Sequence, residues 1–139
     1  MHFETAVDID ATPGTVWNLL IDVERWPEMT ASMDRVEVLD KPFALGSSAR
    51  VHQPKLPTAT WKVTAYEDRK GFTWESRSPG ATTTATHEMT ATSDTTTRVH
   101  LTLTQKGLLA PVIGAVTARL TRRYLAMEAE GLKTKAETP

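Results

Sequence analysis

The chain has no cysteine, so neither a disulfide framework nor thiolate chemistry is available to it, an absence in keeping with a reducing compartment. It has no excess of either charge. Its 16 basic residues against 17 acidic ones leave a formal net charge of −1, which gives no electrostatic footprint for nucleic acid or an anionic membrane. No run approaches the roughly 20 apolar residues that a membrane-crossing helix needs. The opening MHFETAVDID has acidic residues where a secretory signal would have a basic end and an apolar stretch. These absences predict a soluble, cytoplasmic protein with no nucleic-acid partner and no stable membrane insertion. Chemical motifs are missing as well: there is no G-x-S-x-G elbow, no phosphate-cradling glycine loop and no dinucleotide fingerprint. His2, His52, His87 and His100 lie on separate segments without metal-ligand spacing, so neither a metal nor a cofactor is expected.

What is present is an ordinary globular balance, 40% hydrophobic and 24% charged, over 139 residues, a length that suits one domain spanning 1–139. Phe3, Thr5, Val7 and Ile9 alternate with polar neighbours at the period of a half-buried strand. Thr12-Pro13 then reads as an N-cap followed by proline at the first helical position, with Val16, Trp17, Leu20 and Val23 at helical spacing. Trp26-Pro27 is expected to interrupt that helix, leaving a short second piece to about Ala31. Asp34 to Lys106 is almost continuous strand pattern broken by KPFALG, PKLP, RKG, PG and SDTT, which makes seven antiparallel strands with the first. From Leu108 to about Lys135 the helical period returns. Leu109, Ile113, Val116, Leu120, Tyr124 and Met127 form the expected inward stripe, Arg119, Arg122, Glu130 and Lys133 the outer one, and KTKAETP is expected to fray. One long amphipathic helix covering an antiparallel sheet is an α+β fold.

One strand is unusual. ATTTATHEMTAT, Ala81 to Thr92, places Ala81, Thr83, Ala85, His87 and Met89 on one face and a threonine stripe on the other. Small residues cannot by themselves fill an interior, so either another element approaches very closely there or a guest occupies the gap. On the same inward face, Trp61, Phe72 and Trp74 supply large apolar surface, and Gln53 and Ser76 supply polar points. Thr117 and Thr121 project from near the apolar stripe of the helix, while Glu128 is expected at its wet margin, because burying an unpaired carboxylate is costly. An aromatic wall, a small-residue floor and sparse polar groups suit a small-molecule pocket. His87 is the candidate acid or base by residue type.

The order of elements, with "TPGTVWNLLIDVERWPEM", "WKVTAYEDRKGFTWESRSPG", "THEMTAT" and "TRVHLTLTQKGLLAPVIG", resembles the START-like superfamily of the helix-grip fold, in its polyketide cyclase/dehydrase and lipid-transport branch. The resemblance covers nearly the whole chain. It implies a curved seven-stranded antiparallel sheet wrapped around the C-terminal helix, with an elongated cavity between them. It also implies binding or transport of a small hydrophobic molecule, lipid or polyketide-like, by residues including Trp26, Trp61, Trp74, Ala85, His87 and Tyr124. The alternatives are a cofactor-independent cyclase or dehydratase working through His87, and a protein-interaction module with a vestigial cavity. Self-association into a homodimer is left open.

Overall fold

The structure, a computed structural model, describes residues 1–138. Strand β1 (His2–Ile9) leads into α1 (Pro13–Ile21) and a 3-10 helix, Val23–Glu28. Six strands follow: β2 (Arg35–Val38), β3 (Ser48–His52), β4 (Ala59–Glu67), β5 (Gly71–Ser78), β6 (Ala81–Ala91) and β7 (Thr97–Lys106). Helix α2 (Ala110–Glu137) ends the chain. The sheet is antiparallel throughout, in the order β1-β7-β6-β5-β4-β3-β2, so every link from β2 to β7 is a hairpin and only β1 pairs at a distance. This is the expected α+β architecture.

The strand faces follow from the alternation. Trp61, Val63, Phe72, Trp74, Ala85, His87, Met89, Val99 and Leu101 are all buried on the concave side. Trp17, Leu20 and Val16 of α1 and Leu125, Ala129 and Leu132 of α2 close the core. Helix α1 starts as its sequence predicts, with the Thr12 hydroxyl accepting the Thr15 N–H at 3.3 Å and proline in the first turn.

Two expectations about helix ends need correction. The break after α1 comes at Asp22 rather than at Trp26-Pro27, and both of those residues lie inside the 3-10 helix. Proline's fixed φ suits a 3-10 turn, and the turn closes past it through the Met29 N–H donating to the Trp26 carbonyl at 2.8 Å. The C-terminal segment, expected to fray, is helical to Glu137. The Glu137 carboxylate accepts the Asp10 N–H at 2.8 Å and Lys133 Nζ at 2.6 Å, and Lys133 also donates to the Asp8 carbonyl at 2.9 Å. The last two turns are thus fastened to the corner between β1 and α1.

The inward stripe of α2 also differs from its expected position. Val116 is 80% exposed, and Leu109 and Val112 are largely in solvent. The helix turns Ala110, Gly114 and Ala118, then Thr121, Leu125, Glu128 and Leu132, toward the sheet. Small residues in its first half let it lie close over the start of the chain, where Gly114 meets the Met1 side chain; about two turns on, Arg122 stacks over the Phe3 ring of β1 at 5.3 Å.

Candidate functional site

The question raised by β6 has two answers along its length. Next to Ala81 the helix approaches closely: a Cβ on Gly80 would stand 2.5 Å from the Leu109 side chain, and Ala110 is buried. Farther along, at Ala85, the layers part. The register puts Ala85 between Trp74 and Leu103, and His87 between Phe72 and Leu101. A methyl group flanked by an indole and a leucine cannot reach the facing helix, and a cavity of about 70 Å³ remains.

That cavity is walled by Trp26 from the 3-10 helix, Trp61 and Trp74 from the sheet, Gln53 and Leu56 from the β3–β4 link, and Thr121, Tyr124, Leu125 and Glu128 from α2. A second, smaller void of about 20 Å³ lies beyond it toward α1, bounded by Leu20, Met29, Thr30 and Leu132. Trp26, His87, Leu101 and Glu128 border both and so form the partition. A single water needs about 10–15 Å³ of such space and a dry cavity that accepts benzene has about 150 Å³. The hollow is therefore a pair of compact chambers rather than the elongated cavity expected. The indoles occupy the remainder: Trp26 packs edge-on to Trp74 at 5.4 Å, and Trp61 lies 5.7 Å from the same ring.

His87 sits in an aromatic box. It stacks on Phe72 at 4.3 Å, with Trp26 at 5.3 Å and Trp74 at 5.6 Å. Its Nδ1 lies 3.4 Å from the Phe72 carbonyl oxygen. A carbonyl only accepts, so Nδ1 carries the hydrogen and Nε2 keeps a free lone pair bordering the cavity. Burial pushes the imidazole pKa down to about 4, so it is neutral near pH 7. Glu128 behaves in the opposite sense. It retains some accessible surface, part of which is cavity wall, and no group among the described residues bonds its carboxyl. Loss of solvent alone pushes its pKa up to about 8.

The other polar groups have clear duties. Tyr124 donates its hydroxyl hydrogen to the Pro54 carbonyl, tying the β3–β4 link to α2 beside Leu56. Gln53 gives an amide hydrogen to the Ser32 carbonyl at 3.3 Å, which leaves its Oε1 free. No lysine, arginine or aspartate lines either chamber among the described residues.

Of the residues expected at the site, Trp26, Gln53, Trp61, Trp74, Ala85, His87, Thr121 and Tyr124 come together around the larger chamber. Phe72 lies one layer behind, against His87. Ser76, Thr83 and Met89 line neither chamber: the first two pair with each other farther along the strands, and Met89 belongs to the core at the other end of β6. Thr117 is spent on its own helix, donating to the Ile113 carbonyl at 2.7 Å. Glu128 keeps the partial exposure expected of a margin residue and in addition borders both chambers. Its signal was in the sequence, since Thr121, Leu125, Glu128 and Leu132 are spaced four, three and four apart and share one face.

Residues 1–137 match the family described as polyketide cyclase / dehydrase and lipid transport. The chain belongs to that family. No curated protein matches it. Among solved structures it is similar to a hypothetical protein from Helicobacter pylori, with a TM-score of 0.84 at 10% identity over 98% of this chain and 88% of that one. It is similar to the Zhui aromatase/cyclase from a Streptomyces species, with a TM-score of 0.75 at 16% identity over 99% and 93% of the two chains. A START superfamily protein from Mycobacterium smegmatis gives 0.76 at 14% identity over 96% and 97%. At these identities the likeness establishes the START-like helix-grip fold. No helix among the described residues is long and apolar enough to cross a membrane.

Proposed function

We propose that this family member binds a small, compact hydrophobic molecule in the chamber between the sheet and α2, and holds or carries it in the cytoplasm. The observation that supports this reading is the contrast between walls and polar points: Trp26, Trp61, Trp74, Leu101, Leu103 and Leu125 are apolar, while Glu128, His87 Nε2 and Gln53 Oε1 are few and unpaired. Apolar wall gives affinity and unpaired polar groups give orientation. A catalytic role for His87 is the weaker reading, because an imidazole that ionises at about 4 is a poor proton acceptor near neutrality.

Native mass spectrometry of freshly purified protein, with a thermal-shift series of short-chain alcohols and ketones, tests the binding reading. The expected result is stabilisation by compact compounds. Ala85→Phe places a ring in the chamber and is expected to remove that stabilisation while the variant still unfolds cooperatively. No bound mass in the wild type and no stabilisation by any compound would overturn the reading.

A further inference from the structure

Of the chamber's unpaired polar groups, the Thr121 hydroxyl can donate or accept, and the other three lack a donor once Glu128 ionises. His87 Nε2 is a lone-pair acceptor, Gln53 Oε1 is an acceptor, and Glu128 becomes an acceptor on both oxygens once it ionises. No cationic side chain lines either chamber to meet them. Around them stand the rings of Trp26, Trp61 and Trp74, and the face of an indole attracts positive charge. A neutral carbonyl ligand could accept a hydrogen from protonated Glu128, but would leave the imidazole lone pair without a donor. A ligand bearing several N–H hydrogens and a positive charge serves both groups that form the partition.

From this arrangement we infer that the chamber selects a compact alkyl amine in its ammonium form, with the ammonium group against Glu128 and His87 and the apolar body among the tryptophans. This rests on the binding reading above and narrows it to a ligand class. An isolated buried carboxylate is strongly disfavoured, and a bound ammonium supplies the missing counter-charge. Binding is then coupled to a proton. The acid is mostly protonated in the empty protein near pH 7, its pKa being raised to about 8, and it must ionise to pair with the ammonium. The overall exchange is ammonium plus carboxylic acid going to an ammonium–carboxylate pair, with one proton released to solvent. His87 on β6 and Tyr124 on α2 are the other titratable groups lining the chambers; burial keeps the imidazole neutral, and the tyrosine hydroxyl is bonded to the Pro54 carbonyl.

The experiment is isothermal titration of the full chain at pH 7 with n-butylamine, 1-butanol and butyrate, each in two buffers of different ionisation heat. The amine is expected to bind at least about tenfold tighter than the alcohol, a difference of about 1.4 kcal/mol. Butyrate is expected not to bind, and close to one proton should leave per amine bound. Glu128→Gln is expected to bring the amine down to the affinity of the alcohol and to abolish the proton release. Equal binding of amine and alcohol by the wild type, or amine binding without proton release, sinks the inference while leaving the cavity reading in place. If none of the three binds, the inference falls, and the cavity reading is decided by the native mass spectrum and the thermal-shift series. The proton count needs no variant, so it decides the matter even if Glu128→Gln fails to fold.

Discussion

The two halves of α2 have similar hydrophobic patterns and opposite fates. From Ala110 to Leu120 no large apolar residue is buried: Val116 is 80% and Val112 61% exposed, Ile113 and Leu120 are half-buried, and the buried positions are Ala110 and Gly114. From Thr121 to Glu137 the large residues are inside: Tyr124, Leu125 and Leu132 are buried, and Glu128 stands among them at the chamber wall. The difference comes from what lies opposite. The first half meets the Met1 side chain at Gly114 and Gly80 at Leu109 at close range, with small residues facing inward. The second half borders the two chambers and the α1 layer, where Leu125 and Leu132 fit, and it comes close to a neighbour at Gly131, against the Met29 carbonyl. Amphipathic spacing identifies a helix. The partner's distance decides which of two adjacent stripes is buried.

Substitutions at matched positions break or sharpen this contrast. The largest effect is expected at Gly131, where an added Cβ would fall 2.1 Å from the Met29 carbonyl oxygen. A backbone group cannot swing aside, so Gly131→Ala should cost about 3 kcal/mol or more in denaturant unfolding. Next, Leu132→Ala removes a residue 2% exposed and should cost about 3 kcal/mol by the same measurement, with a cavity left behind.

A smaller effect is expected from pH. Glu128 binds its proton with a pKa of about 8 when folded against an ordinary 4.5, so the folded state holds the extra proton and stability falls as pH rises between those values. His87 has the reverse sign, since its pKa drops from 6.5 to about 4 and stability falls as pH is lowered through that range. The two slopes cancel between about 4.5 and 6.5. From 6.5 to 8 only Glu128 acts, and the loss should be about 2 kcal/mol at roughly 1.4 kcal/mol per pH unit. Unfolding midpoints measured across this range should decline in the wild type and stay level in Glu128→Gln.

The smallest effects belong to the first half of the helix. Gly114→Ala also creates a close contact, 2.6 Å, but with the flexible Met1 side chain, which can move. The gain in helix propensity, up to about 1 kcal/mol, should offset the adjustment, so thermal unfolding is expected to shift little or slightly upward. Val116→Ser should change stability by less than about 0.5 kcal/mol. A large loss at Val116 would mean that this face is covered in solution.

Much of the site was legible before the fold. Trp61, Trp74, Ala85 and His87 follow from strand alternation, which is rigidly tied to face, and the register then sets a small residue beside large ones. Thr117 and Thr121 could not be separated in this way. Both hydroxyls leave the same side of α2, yet one bonds back to the Ile113 carbonyl and the other borders the chamber. Ser76 and Thr83 share the correct face but lie too far along it. Glu128 was assigned to the margin by the cost of burying a charge; it keeps partial exposure there, and the solvent it does lose raises its pKa to about 8.

The residue pattern alone determined the α+β class, the strand count, the inward face of the sheet and the start of α1, because periodicity and capping are local and survive without knowledge of neighbours. Tertiary structure decided which stripe of α2 is buried, where the layers separate, how narrow the hollow is and that Glu128 and His87 border the same two chambers. Those depend on distances between elements remote in sequence, set by how the packed side chains fill the space between a twisted sheet and a helix.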